Sequence, residues 1–176
     1  MMNSDLERIG PASRALFRVL AALNIAGALL VIALLVIINI DSISRTFLSI
    51  SFLGVTEVVE LSLVAIVFLQ LGDAVRSGRL TRSDGLLTLL GERAPRLRAL
   101  LHLVFALLAA ALMALIVTGG VPRMIESYQR GEFKGTAQLF TVPEWPVKLI
   151  IVVGATAAIL AFLHSAWWEF RRMTQR

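Results

Sequence analysis

Four long apolar runs divide the chain, each bounded by charged residues. The first is Val19 to Ile40, "VLAALNIAGALLVIALLVIINI". The second is Gly54 to Arg76, "GVTEVVELSLVAIVFLQLGDAVR". The third runs from Ala99 to Val121 and the fourth from Leu149 to Trp168. A helix needs about 20 apolar residues to cross a hydrocarbon core of about 30 Å, and each run is long enough. The pattern predicts an all-α integral membrane protein with transmembrane helices over about 17–41, 54–76, 97–120 and 146–168. The first run continues into "NIDSISRT" with no small-residue cleavage pattern, so it is read as an uncleaved span and not a signal peptide.

The connections carry elements of their own. In "SDGLLTLLGERAP", Ser83 or Asp84 can cap a helix start. Leu86, Leu87, Leu89 and Leu90 then fall largely on one side, Glu92 and Arg93 are polar, and Pro95 ends or bends the helix. This predicts a short amphipathic helix lying in the membrane interface. The longest connection runs from Pro122 to Val142. "PRMIESYQRGEFKG" places a proline at a first helical position and glycines at its end, predicting a short separate helix followed by an irregular segment. No internal repeat interrupts the chain, which reads as one domain over 1–176.

Composition agrees with the runs. Of 176 residues, 57% are hydrophobic and 16% charged, against about 25% charged in soluble domains. One soluble core of this size could not hide that much apolar surface. There are no cysteines, so disulfides, cysteine-ligated zinc and a thiol nucleophile are excluded. His102 and His164 lie far apart and match no metal-ligand spacing.

The net charge of +5 comes from residues that flank the apolar runs, not from one dense patch with interleaved aromatics. That arrangement fits topology signals and contact with anionic lipid, not nucleic acid. Arg8, Arg14 and Arg18 precede the first span. Arg76, Arg79, Arg82, Arg93, Arg96 and Arg98 lie between the second and third, and Arg171, Arg172 and Arg176 follow the fourth. These are 12 of the 17 basic residues, all on one expected face. The positive-inside rule therefore puts both termini in the cytoplasm. Trp167 and Trp168 fit the inner interface and Trp145 the outer one.

The second run raises the chemical question, because it holds Glu57, Glu60 and Asp73. Only about 12 uncharged residues separate Glu60 from Asp73, roughly 18 Å of helix. That is too short to cross the core, so at least one acid sits within or near the apolar zone and should face protein or water. Glu57 and Glu60 are one turn apart and repel each other unless a cation joins them. Arg45 on the same side is one candidate, and a basic or hydrogen-bonding group on a second protein is the other. At the other end Asp73 and Arg76 have the spacing of a local pair.

Paired carboxylates can do acid–base work, but that chemistry needs partners. The other spans offer Asn24, Asn39, His102, Thr118, Thr156 and His164, with no carboxylate in their apolar middles. Nor do they show the broken, repeated helices of a carrier site. No cofactor is implied, and the residues favour structural pairing or subunit docking over catalysis.

At this level the chain resembles the small membrane subunit of tripartite ATP-independent periplasmic (TRAP) transporters, the DctQ-like or small-permease proteins. The resemblance covers roughly Ile37 to Gly154. Arg45 stands after the first span. "GVTEVVEL" opens the second with Gly54, Glu57 and Glu60, and "LVAIVFL" follows. "RSGRLTRSDGLL" gives a basic-glycine turn and an aspartate at Arg76, Gly78 and Asp84. "TVPEWPVKLIIVVG" supplies Pro143, Trp145, Pro146, Lys148 and Gly154. The chain departs from the family at Leu80 and Thr81, where many members carry a histidine and an apolar residue.

The resemblance implies a bacterial or archaeal cytoplasmic (inner) membrane location. It implies association with a large membrane subunit that works as an elevator, and with a periplasmic substrate-binding protein. Uptake of an organic acid would be driven by an ion gradient, commonly sodium, and the small subunit would serve as fixed scaffold. Arg45, Gly54, Glu57, Glu60, Asp73, Arg76, Asp84 and Trp145 are then the candidate partner or structural contacts. Two other classes stay open: a different membrane accessory or assembly subunit, and a small membrane enzyme acting on lipid or quinone. The enzyme calls for polar groups from several spans at one depth.

Overall fold

The computed structural model describes residues 11–49, 52–78, 95–136 and 140–174. It contains four helices and a hairpin: α1 (Pro11–Leu48), α2 (Val55–Arg76), α3 (Pro95–Arg130), β1 (Phe133–Thr136), β2 (Phe140–Pro143) and α4 (Trp145–Thr174). All four helices are long and apolar enough to cross a membrane. The segment read as an interfacial helix, with Asp84, lies outside the described residues.

Local chemistry sets most of the boundaries. Pro11 begins α1 at a position where its missing N–H is no loss. Gly54 precedes α2 with φ 88°, a left-handed conformation that glycine adopts without strain. At the end of α3, Gly131 has φ 60° and the Glu132 N–H donates to the Ser127 carbonyl at 3.0 Å. That is the six-to-one bond of a Schellman stop.

Two expectations for the long connection are corrected. Pro122 does not start a new helix; it lies inside α3, which continues to Arg130. The proline removes the donor that the Thr118 carbonyl would otherwise meet, yet the polar turns beyond it stay helical. The segment expected to be irregular forms an antiparallel hairpin, Phe133 opposite Pro143 and Thr136 opposite Phe140. The described residues therefore form four membrane-length helices with a small β element added.

The helices form a row, not a closed bundle. α2 packs against α1 and α4, α4 packs against α2 and α3, and α1 meets α4 only slightly. Exposure follows this order. Of the most apolar stretch of each helix, 11% is buried in the flanking α1 and α3, against 28% in α2 and 33% in α4.

Helices in lipid gain little from hiding apolar surface and associate through close packing of small residues. The α2–α4 contact is built that way. A Cβ at Gly154 would lie 2.4 Å from the Phe68 carbonyl oxygen. A Cβ at Gly72 would lie 3.6 Å from the Ala157 and Ala158 backbone of α4, and 2.6 Å from Leu20 of α1, where α1 also closes in. The core gathers there: Leu20, Val75, Ala157, Ala158, Ala161 and Phe162 are buried together.

Candidate functional site

Charged side chains collect at the two ends of the row. The richer end carries the hairpin. There α1 presents Asp41, nearly buried, whose Oδ2 accepts from Arg45 Nη2 at 2.6 Å. Its other oxygen, Oδ1, accepts the Phe52 backbone N–H at 3.1 Å. Asp41 thus ties the end of α1 to the chain entering α2.

Glu57 and Glu60 stand in the first turns of α2. Lys134 Nζ, on β1, donates to Glu60 Oε1 at 2.5 Å. Both side chains are open to solvent, Glu60 at 60% and Lys134 at 35%, so screening keeps the pair to about 1 kcal/mol or less. Glu57 is half-buried and has no ion-pair partner among the described residues.

Behind the hairpin, Lys148 on α4 joins two acids. Its Nζ donates to Glu132 Oε2 at 2.6 Å and lies 3.0 Å from Glu144 Oε2. The Glu144 N–H also donates to the Glu132 carbonyl at 3.1 Å, closing the base of the hairpin. The hydrogen bond from Lys148 holds the Glu132 carboxyl below its ordinary range, helped by the Ser127 hydroxyl and opposed by desolvation. Ser127 is fully buried, and its Oγ meets no partner in good hydrogen-bond geometry. Beside this cluster the Tyr128 and Trp145 rings meet edge to face, centroids 5.6 Å apart. That contact ties the last turns of α3 to the first of α4.

At the opposite end, where α1 begins and α4 finishes, buried Asp73 pairs with Arg76 at 2.8 Å. The Arg76 guanidinium lies 5.2 Å over the Phe17 ring, and Phe17 meets His164 edge to face at 5.1 Å. One local ion pair thereby joins α1, α2 and α4 through stacked apolar surface.

The sequence reading singled out residues that the fold distributes over both ends. Arg45 is not the cation for the second-span acids; it is engaged by Asp41, one turn back on its own helix. Glu60 takes Lys134 instead. Asp73 and Arg76 form the pair their spacing allows, and Trp145 packs on Tyr128.

Sequence reasoning missed Asp41, Lys134, Glu132 and Glu144. The i,i+4 spacing of Asp41 and Arg45 was a readable signal, as was that of Glu144 and Lys148. The Lys134 contact depends on a hairpin that the pattern does not announce. Among the described residues, no group of three or more His, Cys, Asp or Glu is placed to hold a metal ion. The arrangement offers charge pairing and surface recognition.

Comparison with known families adds one finding. The family model described as "Tripartite ATP-independent periplasmic transporters, DctQ component" matches residues 34–172. No curated protein and no solved structure matches the chain.

Proposed function

This chain belongs to the DctQ component family of tripartite ATP-independent periplasmic transporters, and we propose that it is the small membrane subunit that holds a large transport subunit in place. In this reading the large subunit moves substrate and ions as an elevator. A periplasmic protein delivers the substrate, an organic acid, and an ion gradient such as sodium drives uptake. The chain sits in the cytoplasmic membrane with both termini in the cytoplasm, as the distribution of arginines favours.

The observation that carries the proposal is the family match over residues 34–172, which runs from the later part of α1 through nearly all of α4. The row supports it physically. An elevator needs a part that stays still, and a row of long helices offers a broad flank to a partner. Glu57, half-buried and without an ion-pair partner among the described residues, supports a contact at the α2 start. Desolvating a carboxylate there requires a donor or cation from the partner.

The test is co-expression with a large subunit of this transporter class, mild-detergent purification, and uptake in proteoliposomes with the binding protein added. Co-purification and uptake that require both membrane chains are expected. Full uptake by the large subunit alone overturns the scaffold role.

A further inference from the structure

The two central helices keep different faces open. On α2 the exposed positions include Thr56, Glu60, Leu63 and Val67, a stripe that carries a carboxylate. On α4 the exposed stripe is bounded by tryptophans. Between Trp145 and Trp167 it holds Leu149, Val153, Thr156, Leu160 and Leu163, spaced three or four residues apart on one side. Off this stripe the helix carries its buried residues, among them Gly154, Ala155, Ala157, Ala158, Ala161 and Phe162.

We infer that this stripe of α4 faces lipid, in the free chain and in the assembled transporter. Four observations carry the inference. The two tryptophans are separated by roughly 33 Å of helix, close to the thickness of a hydrocarbon core. Indole rings prefer the headgroup level at each side. The stripe contains no ionisable group. Its one polar side chain, Thr156, lies midway between the tryptophans and turns its hydroxyl back to the Val152 carbonyl at 2.7 Å. A hydroxyl at the membrane centre has no water to meet, and this internal bond satisfies it. At one end the Arg171 guanidinium lies 5.2 Å over the Trp167 ring, a cation at the depth of lipid phosphates. The partner then docks elsewhere, and α4 lies on the outside of the assembly. Only this last step rests on the proposed subunit role.

The chain has no cysteine, so single labels can be placed directly. Val153→Cys, Thr156→Cys and Leu160→Cys are each spin-labelled in lipid nanodiscs, with and without the co-expressed large subunit. All three positions are exposed, so the labels should not disturb folding. The expected result is high accessibility to oxygen and low accessibility to a water-soluble nickel chelate. The contrast should be several-fold and greatest at 156, and unchanged on assembly. Nickel access at 156 overturns the inference, because the stripe would line water. Immobilised labels and lost oxygen access on assembly also overturn it, because the stripe would be the docking face. If no large subunit assembles, the subunit role fails, while the free-chain result still decides whether the stripe meets lipid.

Discussion

Lys134 on the hairpin holds Glu60 on α2 at 2.5 Å, across 74 positions of sequence. The contact anchors a strand that belongs, by connection, between α3 and α4 onto the far neighbour in the row. Being exposed, it contributes little to stability. Lys134→Ala is expected to change unfolding free energy by no more than about 1 kcal/mol. The reversal pair Glu60→Lys with Lys134→Glu should regain what either single reversal loses. A double-mutant cycle of thermal stability in detergent checks both statements.

Docking can be separated from stability at the same place. Glu57→Leu with Glu60→Leu should leave the isolated chain folded, since neither carboxylate is deeply buried. Co-purification of the large subunit should fall, with Glu57→Gln retaining more than Glu57→Leu because it keeps hydrogen bonding. Affinity capture followed by quantification of the partner reads the result. Undiminished capture by the double leucine variant removes these acids from the interface.

Gly154 provides a sharper structural test. A Cβ there would sit 2.4 Å from the Phe68 carbonyl oxygen, which is backbone and cannot turn aside. Gly154→Ala must therefore push α2 and α4 apart. Overpacking of this kind costs about 1–3 kcal/mol, and more where backbone blocks relief. Gly119→Ala is the control, because a Cβ there meets nothing within 4 Å. The first variant should lose thermal stability or folded yield in detergent, and the second should not.

These contrasts mark what was legible in the sequence. Hydropathy located the four helices because a bilayer imposes length and apolarity on each run independently of its neighbours. Pairs within one helix, such as Asp73 with Arg76, were legible because helix geometry fixes them. Contacts between elements were not. Arg45 stood near the second-span acids in sequence, yet Asp41 lay one turn away and engaged it. The order of the row depends on where small residues such as Gly154 let backbones approach, and no periodicity encodes that. Pro122 misled for a related reason: in a membrane-length helix one lost hydrogen bond is tolerated, so proline does not mark an end.

Asp41 is expected to matter more than its surface ion pair suggests. It is nearly buried and serves two donors, Arg45 and the Phe52 N–H. Asp41→Ala removes the acceptor of the Phe52 N–H and frees the α1–α2 turn, so thermal stability should fall. Arg45→Ala should cost less, since the bond to Phe52 survives. Thermal unfolding of the two single variants ranks them; equal losses would show that the turn bond carries nothing.

The cluster at the hairpin base sets a dependence on acid. Glu132 has its pKa lowered from 4.5, first by the hydrogen bond from Lys148. A carboxyl depressed in the folded state binds its proton more weakly there than in the unfolded chain. Its contribution to stability is therefore complete above pH 4.5 and is lost as pH falls through the lower folded value. Other carboxyls also protonate in that range, so the wild-type profile alone is not decisive. Glu132→Gln keeps size and removes only this titration. At neutral pH the variant should melt below wild type. As pH falls beneath 4.5, the difference should shrink toward zero, because wild-type Glu132 becomes as neutral as the glutamine that replaces it. Thermal midpoints of both proteins from pH 7 to about pH 3 measure this. A constant difference across the range would mean that Lys148 does not stabilise the charged form, and that the hairpin base is held by its backbone bonds alone.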